Sequence, residues 1–148
     1  MSSNARFVSI AFVLGMSLLP AAQAQTPVPK VPSNLTIRWL NTLSISPTSA
    51  AAGSKFTGTV KLARAAVGDM RVDLGLDGAK PVEGAGFVLD GVIVPQSVTV
   101  PAGKDQATFT ITTSSSVTWI GSKTFTARAY YGSESLSASF TVTRLVTR

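Results

Sequence analysis

Ala107-Thr108-Phe109-Thr110-Ile111-Thr112 decides the reading, because Ala107, Phe109 and Ile111 fall on one side of an extended chain and the threonines fall on the other. Successive side chains of a β-strand point to opposite faces, so this two-residue period describes a strand with one face in a core and one in water. Threonine and isoleucine are β-branched and fit a pleated surface better than a helix. The same parity recurs upstream in Phe56, Gly58, Val60 and Leu62 against Lys55, Thr57, Thr59 and Lys61. It recurs again in Val72, Leu74 and Leu76 against Arg71, Asp73 and Gly75. Downstream, Phe125, Ala127 and Ala129 form one inward set, and Leu136, Ala138, Phe140 and Val142 form another, facing away from Ser135, Ser137, Ser139 and Thr141.

Turn signals separate these runs: Ala52-Gly53-Ser54, Gly68-Asp69, Asp77-Gly78, Asp90-Gly91, Pro101-Ala102-Gly103 and Tyr131-Gly132-Ser133. Short alternating runs divided by such turns predict an all-β sandwich or barrel. One-sided alternation further predicts antiparallel sheets with one wet face. The segment from Asp77 to Val94 breaks the rhythm, being too long for a tight turn and carrying Gly84, Gly86 and Gly91. Phe87 and Leu89 suit a short extra edge strand within it. Before the first clear run, Leu35, Ile37 and Trp39 share odd parity with Leu43 and Ile45, which suits one extended first strand broken near Asn41-Thr42.

The beginning of the chain has a different texture. Arg6 supplies a positive start, Phe7 to Leu19 an apolar stretch, and Pro20 followed by Ala22-Gln23-Ala24 a small-residue cleavage motif. This is the grammar of a secretory signal peptide, and the apolar stretch is shorter than the roughly 20 residues that cross a bilayer. Residues 1–24 are therefore expected to be a helical signal peptide, cut between Ala24 and Gln25. Residues 25–33 hold three prolines and read as an extended linker, and residues 34–148 as one domain. No later run is apolar enough to span a membrane, so the expected destination is the periplasm, the cell surface or the medium.

Composition narrows the chemistry. With 148 residues and no cysteine, one apolar core must fold the chain without disulfides. With no histidine, the chain has no imidazole to shuttle protons near neutral pH or to bind a metal. A hydrolytic carboxylate pair would have to draw on Glu83, Glu134 and the aspartates, which fall in predicted turns or on wet faces. A serine nucleophile would need Lys123 as its base, near Ser114, Ser115 and Ser116, but these belong to a polar connection. Asp69, Asp73 and Asp77 recur every fourth residue, without the dense alternation of a calcium loop. No catalytic residue, cofactor or metal site is expected.

In order along the chain, Leu43-Ser44-Ile45-Ser46-Pro47, Thr57-Gly58-Thr59-Val60-Lys61-Leu62, Val94 to Gly103, Ala107 to Thr112, Thr126 to Gly132 and Ala138-Ser139-Phe140-Thr141-Val142 resemble the bacterial immunoglobulin-like repeats of secreted and cell-surface proteins. The resemblance covers about Leu40 to Arg144 and implies an antiparallel Greek-key β-sandwich of about seven strands. It implies no enzyme; such repeats act as spacers, adhesive modules or partner-binding modules. Two departures bear on this: the segment Asp77 to Ile93 is expanded relative to the family, and only one copy is present, which suits binding better than a long stalk. The expanded segment is the expected partner-presenting loop.

The net charge of +6 and calculated pI near 10.2 raise the question of nucleic acid. An immunoglobulin-like topology would put Lys55 and Lys61 in one sheet and Arg71 and Arg128 in the other, so the charge is dispersed and no nucleic-acid partner is expected. The aromatic residues are the better binding candidates. Trp119, Tyr130 and Tyr131 could contact a protein or carbohydrate of the envelope or exterior, while Trp119 with Ile120 could instead cap the core. Residues 34–40 carry a further alternative, a donor strand that joins subunits of a surface fibre by strand exchange.

Overall fold

The strands at 55–62, 70–76, 106–113, 121–131 and 134–144 lie where the two-residue period marks them. The computed structural model describes residues 37–146; the expected signal peptide, its cleavage site at Ala24 and Gln25, the linker and Leu35 lie outside the described residues. Strands β1 (Leu40–Ser46), β3 (Lys55–Leu62) and β9 (Gln106–Thr113) pair antiparallel in one sheet. That sheet continues through β7 (Val92–Val94), β6 (Gly86–Leu89) and β5 (Lys80–Val82). The second sheet runs β2 (Ser49–Ala51), β11 (Glu134–Arg144), β10 (Gly121–Tyr131), β4 (Met70–Leu76) and β8 (Ser97–Val100), with only the β2–β11 pair parallel. No helix occurs among the described residues.

The inward faces of both sheets meet in a single core. Phe56 from the first sheet lies with its ring centroid 4.9 Å from that of Phe140 in the second, and both are essentially free of solvent. Val60, Leu62, Ile111, Val72 and Leu74 are buried around them. Each such side chain contributes about 1.5–3 kcal/mol of transfer free energy, the term that offsets the entropy of ordering the strands. In β9, Phe109 and Ile111 are buried whereas Thr108 and Thr110 are exposed, as the alternation requires. Phe109 faces Gly58 across the β3–β9 pair, and a Cβ at Gly58 would sit 2.2 Å from the Phe109 ring. Glycine therefore stands on the inward face of β3 because the ring occupies the space of its missing side chain. Thr113 closes β9 as a buried polar residue, its hydroxyl accepting from Gly53 N at 2.9 Å and donating to Ser54 O at 2.7 Å.

Four expectations are corrected. Among the described residues the strands number eleven, not about seven, because short pieces add to both sheets. The segment Asp77 to Ile93 is not a presented loop: β5, β6 and β7 form an antiparallel meander that widens the first sheet. Its glycines serve that path, since Gly86 has φ +104° and a Cβ there would meet Val94 O at 2.2 Å. The first strand begins at Leu40, and residues 37–39 are no part of it. The register shifts between Leu40 and Thr42, so Asn41 is the extra residue of a bulge and parity flips there. Leu40 is consequently buried at 4% exposure while Ile37 is 56% exposed. Gly75, read as outward and wet, is buried because the Tyr130 ring lies over it, 3.2 Å from where a Cβ would be.

Candidate functional site

The aromatic candidates do not converge. Tyr130 and Tyr131 are neighbours on β10 and so point to opposite faces, Tyr130 outward over Gly75 and Tyr131 inward at the margin of the core. Trp119 precedes the other end of β10, about 30 Å away at the rise of an extended strand. There it packs against Phe125 with centroids 6.2 Å apart, and its Nε1 is buried without an acceptor among the described residues. Trp119 thus belongs to the core margin. Ile120 does not cap the core with it, being 75% exposed.

What Tyr131 does meet is Trp39, a residue that the period assigned merely to a strand. Their rings stand edge to face, 6.2 Å between centroids at 66°. The Arg64 guanidinium lies 4.1 Å over the Trp39 ring. Glu134 fixes the backbone: its carboxylate accepts from Trp39 N at 2.9 and 3.0 Å and from Leu40 N at 3.0 Å. Far from an exposed turn acid, Glu134 is a half-buried bracket holding the entry of β1 against the β10–β11 turn. Those amides are thereby used within the chain, and residues 37–39 form no strand.

Trp39 and Tyr131 bound an open cleft of about 340 Å³, completed by Val67, Gly68, Asp69, Met70 and Arg71. The β3–β4 connection supplies most of this wall and is itself held by backbone bonds: Ala66 N to Lys104 O at 2.8 Å, and Gly103 N to Ala66 O at 2.7 Å. Asp69 Oδ1 accepts from Ala102 N at 3.0 Å, and Arg71 Nε donates to Asp73 Oδ1 at 3.0 Å. Val67 stands at the rim, 90% exposed. The cleft thus presents two aromatic rings, two aliphatic side chains and a carboxylate beside a guanidinium, at the lower end of the roughly 300–1,000 Å³ range of small-ligand sites.

The remaining polar residues are dispersed. Asp77 pairs with Arg128 through two bonds of 2.5 and 2.9 Å, and the hydrogen bonding holds the Asp77 carboxyl below its ordinary value. Lys123 pairs with Asp90, whereas Ser114 accepts from Ser116 N at 3.0 Å. Glu83 is exposed in the β5–β6 turn. Asp69, Asp73 and Asp77 each bond a different group, and among the described residues no three acids cluster as metal ligands would. Lys55 and Lys61 lie on β3, and Arg71 and Arg128 on β4 and β10 of the other sheet. No described helix is long and apolar enough to cross a membrane.

Sequence reasoning missed Trp39, Arg64, Val67 and the role of Glu134. The available signal was indirect: Trp39 stood just before the expected break at Asn41-Thr42, and a parity flip there releases the preceding residue from the strand. These observations define the class, an all-β module of two packed sheets with an aromatic cleft at one end. No family model matches the chain, and no curated protein matches it. Among solved structures, a cycloisomaltooligosaccharide glucanotransferase from Paenibacillus sp., crystallised with cycloisomaltoheptaose, is similar over 72% of this chain with 17% identity and a TM-score of 0.45. The match spans 14% of that chain.

Proposed function

We propose that this chain is an exported, non-enzymatic binding module with an immunoglobulin-like Greek key, which holds a component of the envelope, cell exterior or matrix. The observation that carries the reading is the Trp39–Tyr131 cleft, where Arg64 and Tyr131 pack on the Trp39 indole, Glu134 holds its backbone amide, and the residue still borders an open cleft. An aromatic ring fixed in advance costs little entropy to use, which is the physical advantage of a preorganised contact surface. The strand order β1-β3-β9 in one sheet and β11-β10-β4 in the other agrees with the immunoglobulin-like resemblance, and it gathers the β3–β4 and β10–β11 connections at one end. Export rests on the sequence of residues 1–24. The acids being spread among separate partners favours contact over catalysis. Strand exchange through residues 34–40 draws no support from Trp39 and Leu40, whose amides Glu134 already engages.

The test is retention. The processed protein starting at Gln25, immobilised and exposed to envelope and medium fractions, is expected to retain a component that Val67→Arg releases, since a charge at the rim obstructs the cleft without touching the core. Retention of nothing, or retention indifferent to Val67→Arg, contradicts the reading. Turnover of a glycan or peptide that Glu83→Gln or Glu134→Gln abolishes would contradict it as well.

A further inference from the structure

The cleft carries a more specific chemistry than contact in general. We propose that the Trp39–Tyr131 cleft is a saccharide subsite that takes a neutral pyranose unit of a glycan, the sugar's C–H face against the Trp39 indole and its hydroxyls toward Asp69 and Arg71. This assignment names the ligand class of the binding module and rests on that function.

The walls are matched to the two sides of a sugar. A pyranose ring has faces of C–H groups and a rim of hydroxyls, each of which both donates and accepts. An indole face carries the negative end of the ring quadrupole and favours polarised C–H groups. The Arg64 guanidinium lies over the Trp39 ring and the Tyr131 ring stands edge to face with it, so the indole is held in one orientation before any ligand arrives. Beside it, Asp69 spends Oδ1 on Ala102 N, and Arg71 spends Nε on Asp73. Asp69 Oδ2 and the Arg71 terminal nitrogens bond no described residue, which leaves an acceptor and donors side by side on one wall. A pair of neighbouring hydroxyls can satisfy both, accepting from the guanidinium while donating to the carboxylate.

Charge and size select against other occupants. Arg71 is balanced by Asp73 and accompanied by Asp69, so an anionic sugar or phosphate would meet a carboxylate at the wall and gain little from a guanidinium already paired. A folded protein partner typically covers about 800 Å² on each side, and the apolar surface of this open cleft is confined to a few side chains.

The experiment is calorimetric titration of the processed protein with cellohexaose, maltohexaose and chitohexaose, with a heparin hexasaccharide as the anionic comparison. At least one neutral oligosaccharide is expected to bind in the millimolar range or tighter. Trp39→Ala should weaken that binding about tenfold or more, as loss of a central aromatic contact does. Arg71→Gln, an exposed change that leaves the fold intact, should weaken it several-fold, and Trp119→Phe should leave it unchanged. Binding of none of the neutral sugars, binding of heparin alone, or equal losses from Trp39→Ala and Trp119→Phe would overturn the proposal. If the retained envelope component depends on Val67 but survives excess of all three neutral oligosaccharides, the saccharide proposal fails and the binding module stands.

Discussion

The two tryptophans sit at opposite ends of the same sandwich and show how little residue type alone determines. Trp119 packs into the margin of the core against Phe125, leaving its N–H buried without an acceptor among the described residues. Trp39 has its ring packed by Arg64 and Tyr131 and its backbone amide held by Glu134, and it opens onto a cleft. One indole is used for bulk, the other for presentation. The difference lies in the neighbours: the apolar Phe125 ring beside Trp119, and around Trp39 a guanidinium over the ring and a tyrosine set edge to face with it.

Both ends rest on the β3–β9 floor, and Phe109→Ala gives the largest expected effect. Truncating this ring empties the space above Gly58 and should cost about 3–5 kcal/mol in denaturant unfolding, destabilising the two ends together. Glu134→Ala separates them. Removing a carboxylate that holds two backbone amides should cost about 1–2 kcal/mol and lower retention at the cleft, while fluorescence from the Trp119 environment stays as it was. Trp119→Phe removes the orphaned N–H along with some packing, two effects of opposite sign, so the net stability change should stay within about 1 kcal/mol.

Asp77 lies beside the middle of β10, and its bond to Arg128 keeps the carboxyl below the ordinary range. A depressed folded-state pKa means that the stabilisation is present above the unfolded value and disappears as pH falls through the folded one. The melting temperature should therefore fall in acid, below the usual carboxylate range, and Asp77→Asn should make that fall shallower. The pair is exposed, so the difference should be small. Thr110→Ala, on the wet face of β9, is expected to change stability least, by about 0.5 kcal/mol or less; a cost equal to that of Phe109→Ala would mean that the faces of β9 are reversed.

The contrast between the ends also marks what could be read from residues alone. The inward faces of β3, β4, β9 and β10 were legible because a two-residue period is a local property, visible within one strand. The bulge at Asn41 was not: a single inserted residue flips Leu40 inward and frees Trp39, and Asn41-Thr42 announces a break without its sign. Of the meander, only the strand at Phe87 and Leu89 was legible; β5 and β7, three residues each, are too short to display a period. The cleft was hidden for a different reason. Trp39 and Glu134 are 95 residues apart, and only the closing of two sheets over one core brings them into contact.

The most direct test follows the two indole N–H resonances by NMR while the component retained from the envelope or medium fractions is added. Binding at the cleft predicts that the Trp39 signal, with the amides of Val67 to Arg71, shifts and that the Trp119 signal does not. A shift at Trp119 with Trp39 unmoved would contradict the cleft as the contact site.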